Sequence, residues 1–149
     1  MISKILVPTD GSKTAKRSIE YAVQFAKQTG ATLTLLSVID KSAFVPQSIP
    51  AMSVSKNLME PIENYLRMAA ESYTEYAQKL CLKYEINCRT VIRSGRPVDE
   101  IIKEAEKSKV DIIIIGSHGK SALKAAVLGS VTFGIINKGT KIPVLVVRK

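Results

Sequence analysis

Short runs of aliphatic residues alternate along the chain with longer stretches in which apolar residues recur every three or four positions. The first run, KILVPTD, reads as a buried strand ended by Pro8. From Ser12 to Thr29, Ala15, Ile19, Ala22, Val23 and Ala26 form a helical stripe, with Ser12 as N-cap and Gly30 where a C′ glycine belongs. ATLTLLSVI is a second strand, and Ile62, Leu66, Ala69, Tyr73, Ala77 and Leu80 mark a longer helix from Ile62 to Tyr84. INCRTVI alternates as a third strand. PVDEIIKEAEKSK then opens a helix with Pro97 at N1 and with Asp99 and Glu100 in the first turn, where the helix dipole favours them. VDIIIIG is apolar on both faces, as a central parallel strand must be. SVTFGIINKG is a last helix, weakened by Gly134, and IPVLVVRK a fifth strand. Between them, three prolines and several serines break every period from Asp40 to Pro61, so Lys41–Glu60 is a long connection with room for helical pieces. A connection of that length suits a lid or a binding arm.

Strands alternating with helices imply βαβ units, right-handed crossovers and a parallel sheet covered on both faces. The expected architecture is one α/β domain over residues 1–149.

Composition narrows the function classes. With 46% hydrophobic and 23% charged residues, the chain carries enough apolar material for a core. The net charge of +9 favours polyanionic partners. The lysines nevertheless never run three together and aromatic residues are few, so no stacking platform interleaves with a basic stripe, and nucleic acid is not expected as a partner. Cys81 and Cys88 make neither a disulfide scaffold nor a zinc site with the lone His118, and are read as small buried hydrophobes in a reducing compartment. The amino-terminal apolar run is too short for a signal peptide, and Val110–Ile115, broken by Asp111, is too short for a membrane span. A cytoplasmic location is expected.

The candidate chemistry lies in IIIIGSHGKSALKAAVLGSV, Ile112 to Val131. Its Gly-Lys-Ser does not complete a P-loop, because only two residues separate Gly116 from Gly119, and the Gly-x-Gly-x-x-Gly dinucleotide pattern is absent too. The spacing that remains is Gly-x2-Gly-x9-Gly-Ser. In open parallel sheets ligands bind beyond the carboxyl ends of the strands. There the first strand carries Pro8-Thr9-Asp10-Gly11-Ser12 and the fourth Gly116-Ser117-His118-Gly119. If the two strands are neighbours, Asp10 faces the glycines across a crevice. Gly116 and Gly119 can take positive φ and let a phosphate approach backbone N–H groups. Gly129-Ser130 would open the last helix, whose free N–H groups attract anions, with Ser130 donating its hydroxyl to a phosphate or capping the helix, two roles that use different atoms and can coexist. Asp10 suits three tasks: a ribose contact, which is preferred, a divalent metal on the phosphates, or a cap for the first helix. His118 has the chemistry of a general base but no orienting partner in the sequence, so no catalytic residue is assigned. Lys120 and Lys124 either neutralise phosphate charge or sit in solvent.

Taken together, the Gly-x2-Gly-x9-Gly-Ser motif followed by Val131, ILVPTDGS, LLSVID, SGRPVDEIIKEAEKSKVDIIIIGSHGK and PVLVVRK resemble the ATP-binding branch of the universal stress proteins over nearly the whole chain. The resemblance implies a Rossmann-like five-stranded parallel sheet of order 3-2-1-4-5, with helices on both faces, and a homodimer joined through the fifth strands. It implies an ATP site with Pro8, Thr9 and Asp10 along the adenosine and Val38 at the adenine. Gly116, Ser117, His118, Gly119, Gly129, Ser130 and Val131 would surround ribose and phosphates, with Mg or Mn as candidate ions beside Asp10. In that strand order Ile142–Val147 is an edge, uncharged until Arg148, that invites a second copy. The expected function is a nucleotide-dependent sensor or switch in stress response, with an unidentified protein partner and at most slow ATP hydrolysis. A nucleotidyl-transfer enzyme and a scaffold for protein or nucleic acid are the competing readings.

Overall fold

The structure, a computed structural model, describes residues 1–44, 56–120 and 127–149. Its strands are β1 (Lys4–Pro8), β2 (Thr32–Ile39), β3 (Cys88–Ser94), β4 (Ile112–Gly116) and β5 (Val144–Val147). Its helices are α1 (Lys13–Thr29), α2 (Lys56–Lys83), α3 (Pro97–Lys107) and α4 (Ser130–Asn137), with a 3-10 turn at Lys41–Phe44. All neighbouring strands pair in parallel, in the order β3-β2-β1-β4-β5, as the resemblance implied.

Strict alternation of side chains divides each central strand between two cores. Ile5, Val7, Leu33, Leu35, Ile112 and Ile114 face α1 and α2, meeting Ile19, Ala22, Val23, Ala77 and Cys81. Leu6, Leu36, Ile113 and Ile115 face α3 and α4, meeting Ile101, Ala105 and Ile135. Two covered faces explain why these strands are apolar at successive positions rather than alternate ones. Each fully buried Leu or Ile contributes roughly 1.5–3 kcal/mol relative to exposure.

Helix ends follow the sequence signals closely. Ser12 Oγ accepts the Ala15 N–H at 3.1 Å, and Gly30, at φ 77°, closes α1 in the left-handed region that favours glycine. Pro97 stands at the start of α3, ahead of Asp99 and Glu100. Two boundaries differ from expectation. α2 begins six residues before Ile62 and keeps Pro61 inside it. The proline sits near the amino end, where losing one i→i−4 bond interrupts little of a 28-residue helix. β5 is shorter than Ile142–Val147, because Pro143 has no N–H for the ladder. It gives only its carbonyl, to Ile113 N–H at 2.9 Å. The Lys41–Glu60 connection resolves at its ends into the 3-10 turn and the start of α2, and its residues 45–55 lie outside the described ones.

An ionic cluster sets α3 against β3. Glu104, only 3% exposed, accepts from Arg89 and Arg93 at 3.0 Å each and from Ser108 Oγ at 3.1 Å. Arg93 also donates to Glu100 at 2.7 Å, which together with Glu104 holds the guanidinium more firmly in its charged form against partial burial. Thus the two carboxylates that would be costly to bury alone are neutralised where they lie. Among the described residues no helix is long and apolar enough to cross a membrane.

Candidate functional site

A cavity of about 1000 Å³ opens beyond the carboxyl ends of β1, β2 and β4. One wall is Pro8, Thr9 and Asp10, a second Leu36 and Val38, a third Pro97 and Val98 from the start of α3, and the last the β4 turn with the start of α4. It forms where strand order reverses: β1 runs on to β2 on one side and pairs with β4 on the other.

Asp10 spans the crevice. Its Oδ1 accepts the Ser12 N–H at 3.0 Å and its Oδ2 the Lys120 N–H at 2.9 Å, joining the β1–α1 loop to the segment after β4. The cap of α1 is Ser12, so the helix-capping task falls away for Asp10. Thr9 is buried; its N–H donates to Leu36 O at 2.8 Å and its Oγ1 accepts from Gly11 N–H at 3.3 Å.

The turn after β4 is packed onto the start of α4 through backbone. Gly129 N–H donates to Ser117 O at 2.6 Å, and Thr132 Oγ1 to Gly116 O at 2.7 Å. Gly116, Gly119 and Gly129 do not adopt positive φ, contrary to the expectation for the first two. Their missing side chains serve close approach instead. A Cβ on Gly116 would lie 3.0 Å from Thr14 O, one on Gly119 2.5 Å from Asp10 Oδ2, and one on Gly129 3.1 Å from His118 Cα. The glycines therefore let three chain segments converge at the cavity's rim.

Gly129 is the N-cap of α4, and among the described residues no side chain caps that end. The N–H groups of Ser130, Val131 and Thr132 precede the first helical bond, Phe133 N–H to Gly129 O at 2.9 Å. Ser130 occupies the first helical position and does not cap, which removes one of its two expected roles. The resulting rim of free N–H groups and positive dipole end suits an anion.

The side chains around this rim have defined partners. His118 is buried, with Nδ1 2.8 Å from Ser117 Oγ, an orienting contact invisible in the sequence. Lys120 turns away from the cavity: its Nζ donates to Tyr73 OH at 2.6 Å. Lys124 lies outside the described residues. At the opposite end, Asp99 pairs with Lys138 and lies 3.8 Å from Arg96 Nε; chiefly the Lys138 hydrogen bond holds its carboxyl below the usual range. Among the described residues no three His, Cys, Asp or Glu side chains gather to hold a metal ion.

Residues 1–148 match the family model for the universal stress protein family. The chain belongs to that family. Among relatives of this universal stress protein, MJ0577 of Methanocaldococcus jannaschii is 36% identical over all of the chain and 96% of its own length. A solved structure of MJ0577 aligns with a TM-score of 0.85 at 37% identity, covering 100% of this chain and 97% of that one. The universal stress protein UspA from Lactobacillus plantarum aligns at 0.82 and 25% identity, covering 99% and 98%. An Arabidopsis thaliana universal stress protein with AMP bound shares the fold at 0.64 and 21% identity, covering 99% and 92%.

Of the residues expected at the site of this universal stress protein, Pro8, Thr9, Asp10, Val38, Gly116, His118, Gly119, Gly129, Ser130 and Val131 all line the one cavity. Ser117 does not; it is 2% exposed beneath the turn, where it holds Gly129 and His118. The sequence reading missed Arg96, Asp99 and Lys138 at the far rim. Lys138 and Asp99 are 39 residues apart, on different helices, and no local pattern announces their pairing.

Proposed function

We propose that this universal stress protein binds ATP in the β1–β4 cavity and works as a homodimeric, nucleotide-dependent switch in the cytoplasm. The observation that carries the reading is the meeting, in one cavity, of the uncapped start of α4, the glycine turn after β4 and the Asp10 carboxylate. Adenine fits the apolar side at Pro8 and Val38, the ribose hydroxyls fit the free lone pairs of Asp10, and the phosphates fit the N–H groups at Gly119 and Ser130–Val131. A volume of about 1000 Å³ exceeds what a nucleoside alone requires. Any Mg or Mn would be carried on the phosphates, since among the described residues no three metal-binding side chains gather and both Asp10 oxygens already accept backbone N–H groups. Among the described residues no paired carboxylates stand at the phosphate end, which favours retention of ATP over rapid turnover. The outer edge of β5 is the proposed dimer seam.

Heat release of copurified ligand, identified by mass, followed by calorimetric titration with ATP, adenosine and tripolyphosphate, tests the reading. ATP is expected to bind more tightly than either fragment. Absence of copurified nucleotide together with no ATP binding at high micromolar concentration would overturn it.

A further inference from the structure

The cavity's rim is closed by a contact in which neither partner lines the cavity. Tyr73, half-buried on α2, lays its ring against the β1–α1 turn: a Cβ on Gly11 would fall 2.2 Å from the ring's Cε1. Gly11 stands at φ 78°, so the turn is open to this approach only as glycine. The same tyrosine holds Lys120, whose ammonium is 2.6 Å from the phenol oxygen and 4.4 Å from the ring centroid. With those two distances the ammonium sits beside the hydroxyl rather than over the ring face, so the link is a single charge-assisted hydrogen bond. The backbone N–H of Lys120 meanwhile donates to Asp10 Oδ2 at 2.9 Å. The links Asp10–Lys120–Tyr73–Gly11 therefore close a circuit around the end of the glycine turn, anchored in a 28-residue helix.

We propose that Tyr73 and Lys120 are positioning residues that fasten the glycine turn against Asp10, and so set nucleotide affinity without touching the nucleotide. The proposal rests on the nucleotide reading above. It also separates Lys120 from the phosphate-binding role that a lysine directly after Gly119 suggests. A phosphate ligand must point its amine at the anion; this one points it at α2.

Tyr73→Phe removes the hydroxyl and keeps the ring on Gly11, while Lys120→Met removes the ammonium and keeps the stem. In ligand-free protein, amide hydrogen exchange over residues 117–120 is expected to quicken by about threefold to fivefold in either variant, the scale of an exposed charged contact. The double variant is expected to match the singles, because they break one link. Equilibrium dialysis with ATP and AMP is expected to show each nucleotide weakened by the same factor in Tyr73→Phe as in Lys120→Met. Unchanged exchange in Tyr73→Phe overturns the fastening whether or not nucleotide binds. A Lys120→Met loss that grows with phosphate number, with Tyr73→Phe neutral, makes Lys120 a phosphate ligand and overturns it also. If the wild-type protein binds no nucleotide, the function reading fails, and the exchange measurement decides the fastening by itself.

Discussion

Replacing Gly119 by alanine tests how the site is closed, and its effect follows from the geometry. The new Cβ would lie 2.5 Å from Asp10 Oδ2, against about 3.4 Å for ordinary contact, so the two groups must part by about 0.9 Å. Gly119 is not in the left-handed region, so alanine brings no backbone strain and the contact is the whole perturbation. The carboxylate is the softer partner. Its retreat stretches the 2.9 Å bond from Lys120 N–H past hydrogen-bonding range. A hydrogen bond to a charged group contributes about 1.5–3 kcal/mol, and partial exposure of Asp10 brings this nearer ~1 kcal/mol. ATP affinity should then fall by roughly five- to tenfold, with a fall of only about 2–4 °C in Tm. Calorimetric titration and thermal melts of Gly119→Ala, Asp10→Ala and the double variant make a cycle. With the carboxylate gone the methyl strikes nothing, so the second substitution should add less than about twofold to the first. Losses that simply add, or Gly119→Ala binding ATP like the wild type, would refute the reasoning.

Dimerisation can be tested at the outer edge of β5. Pro143 and Val147 direct their carbonyls to β4, so alternation turns the N–H and C=O of Val144 and Val146 outward. Val146→Pro should yield a folded monomer by sedimentation where the wild type is a dimer; a monomeric wild type at micromolar concentration would end the proposal. Val147 is unsuitable for this purpose because it is buried in the α1-side core, whereas Val146 is only partly buried against the α3-side one. Asp111 accepts the N–H groups of Ser3 and Lys4 at 2.8 and 2.9 Å, which hold its carboxyl below the usual range. A depressed carboxyl stabilises above its unfolded pKa of about 3.9 and loses that contribution as pH falls through the lower folded value. The urea midpoints of wild type and Asp111→Ala should therefore differ at pH 7 and converge in acid; a constant gap would contradict this origin. Burial, with Cys88 adjacent, pushes the Cys81 thiol up to about 12, so iodoacetamide at pH 8 should alkylate Cys88 first and Cys81 only on unfolding, read by peptide mass. His118→Ala should leave any slow ATP hydrolysis within about tenfold, since a positioned general base supplies ~10²–10⁴; a larger drop at unchanged affinity would make it catalytic.

Much of the fold was legible because its signals are local. A two-sided apolar run marked VDIIIIG as a central strand, Ser12 and Gly30 set the ends of α1 through bonds spanning four residues or fewer, and Pro97 set the start of α3 through its fixed φ. The glycine spacing and the Asp10 loop also pointed to the strand ends at which the cavity opens, since βαβ chirality leaves few ways to arrange them. The start of α2 was obscured because Pro61 reads as a breaker while the helix around it is held by other turns. What only the tertiary structure decided is where individual groups point. The glycines make room rather than adopt unusual φ, Ser117 supports the turn from below, and Lys120 goes to Tyr73 instead of the cavity. Those outcomes depend on partners 47 and 110 residues away, Tyr73 and Asp10, that meet Lys120 only after the sheet has formed. Periodicity and propensity describe a residue's own neighbourhood in the chain, and a contact made across the sheet leaves no trace in either.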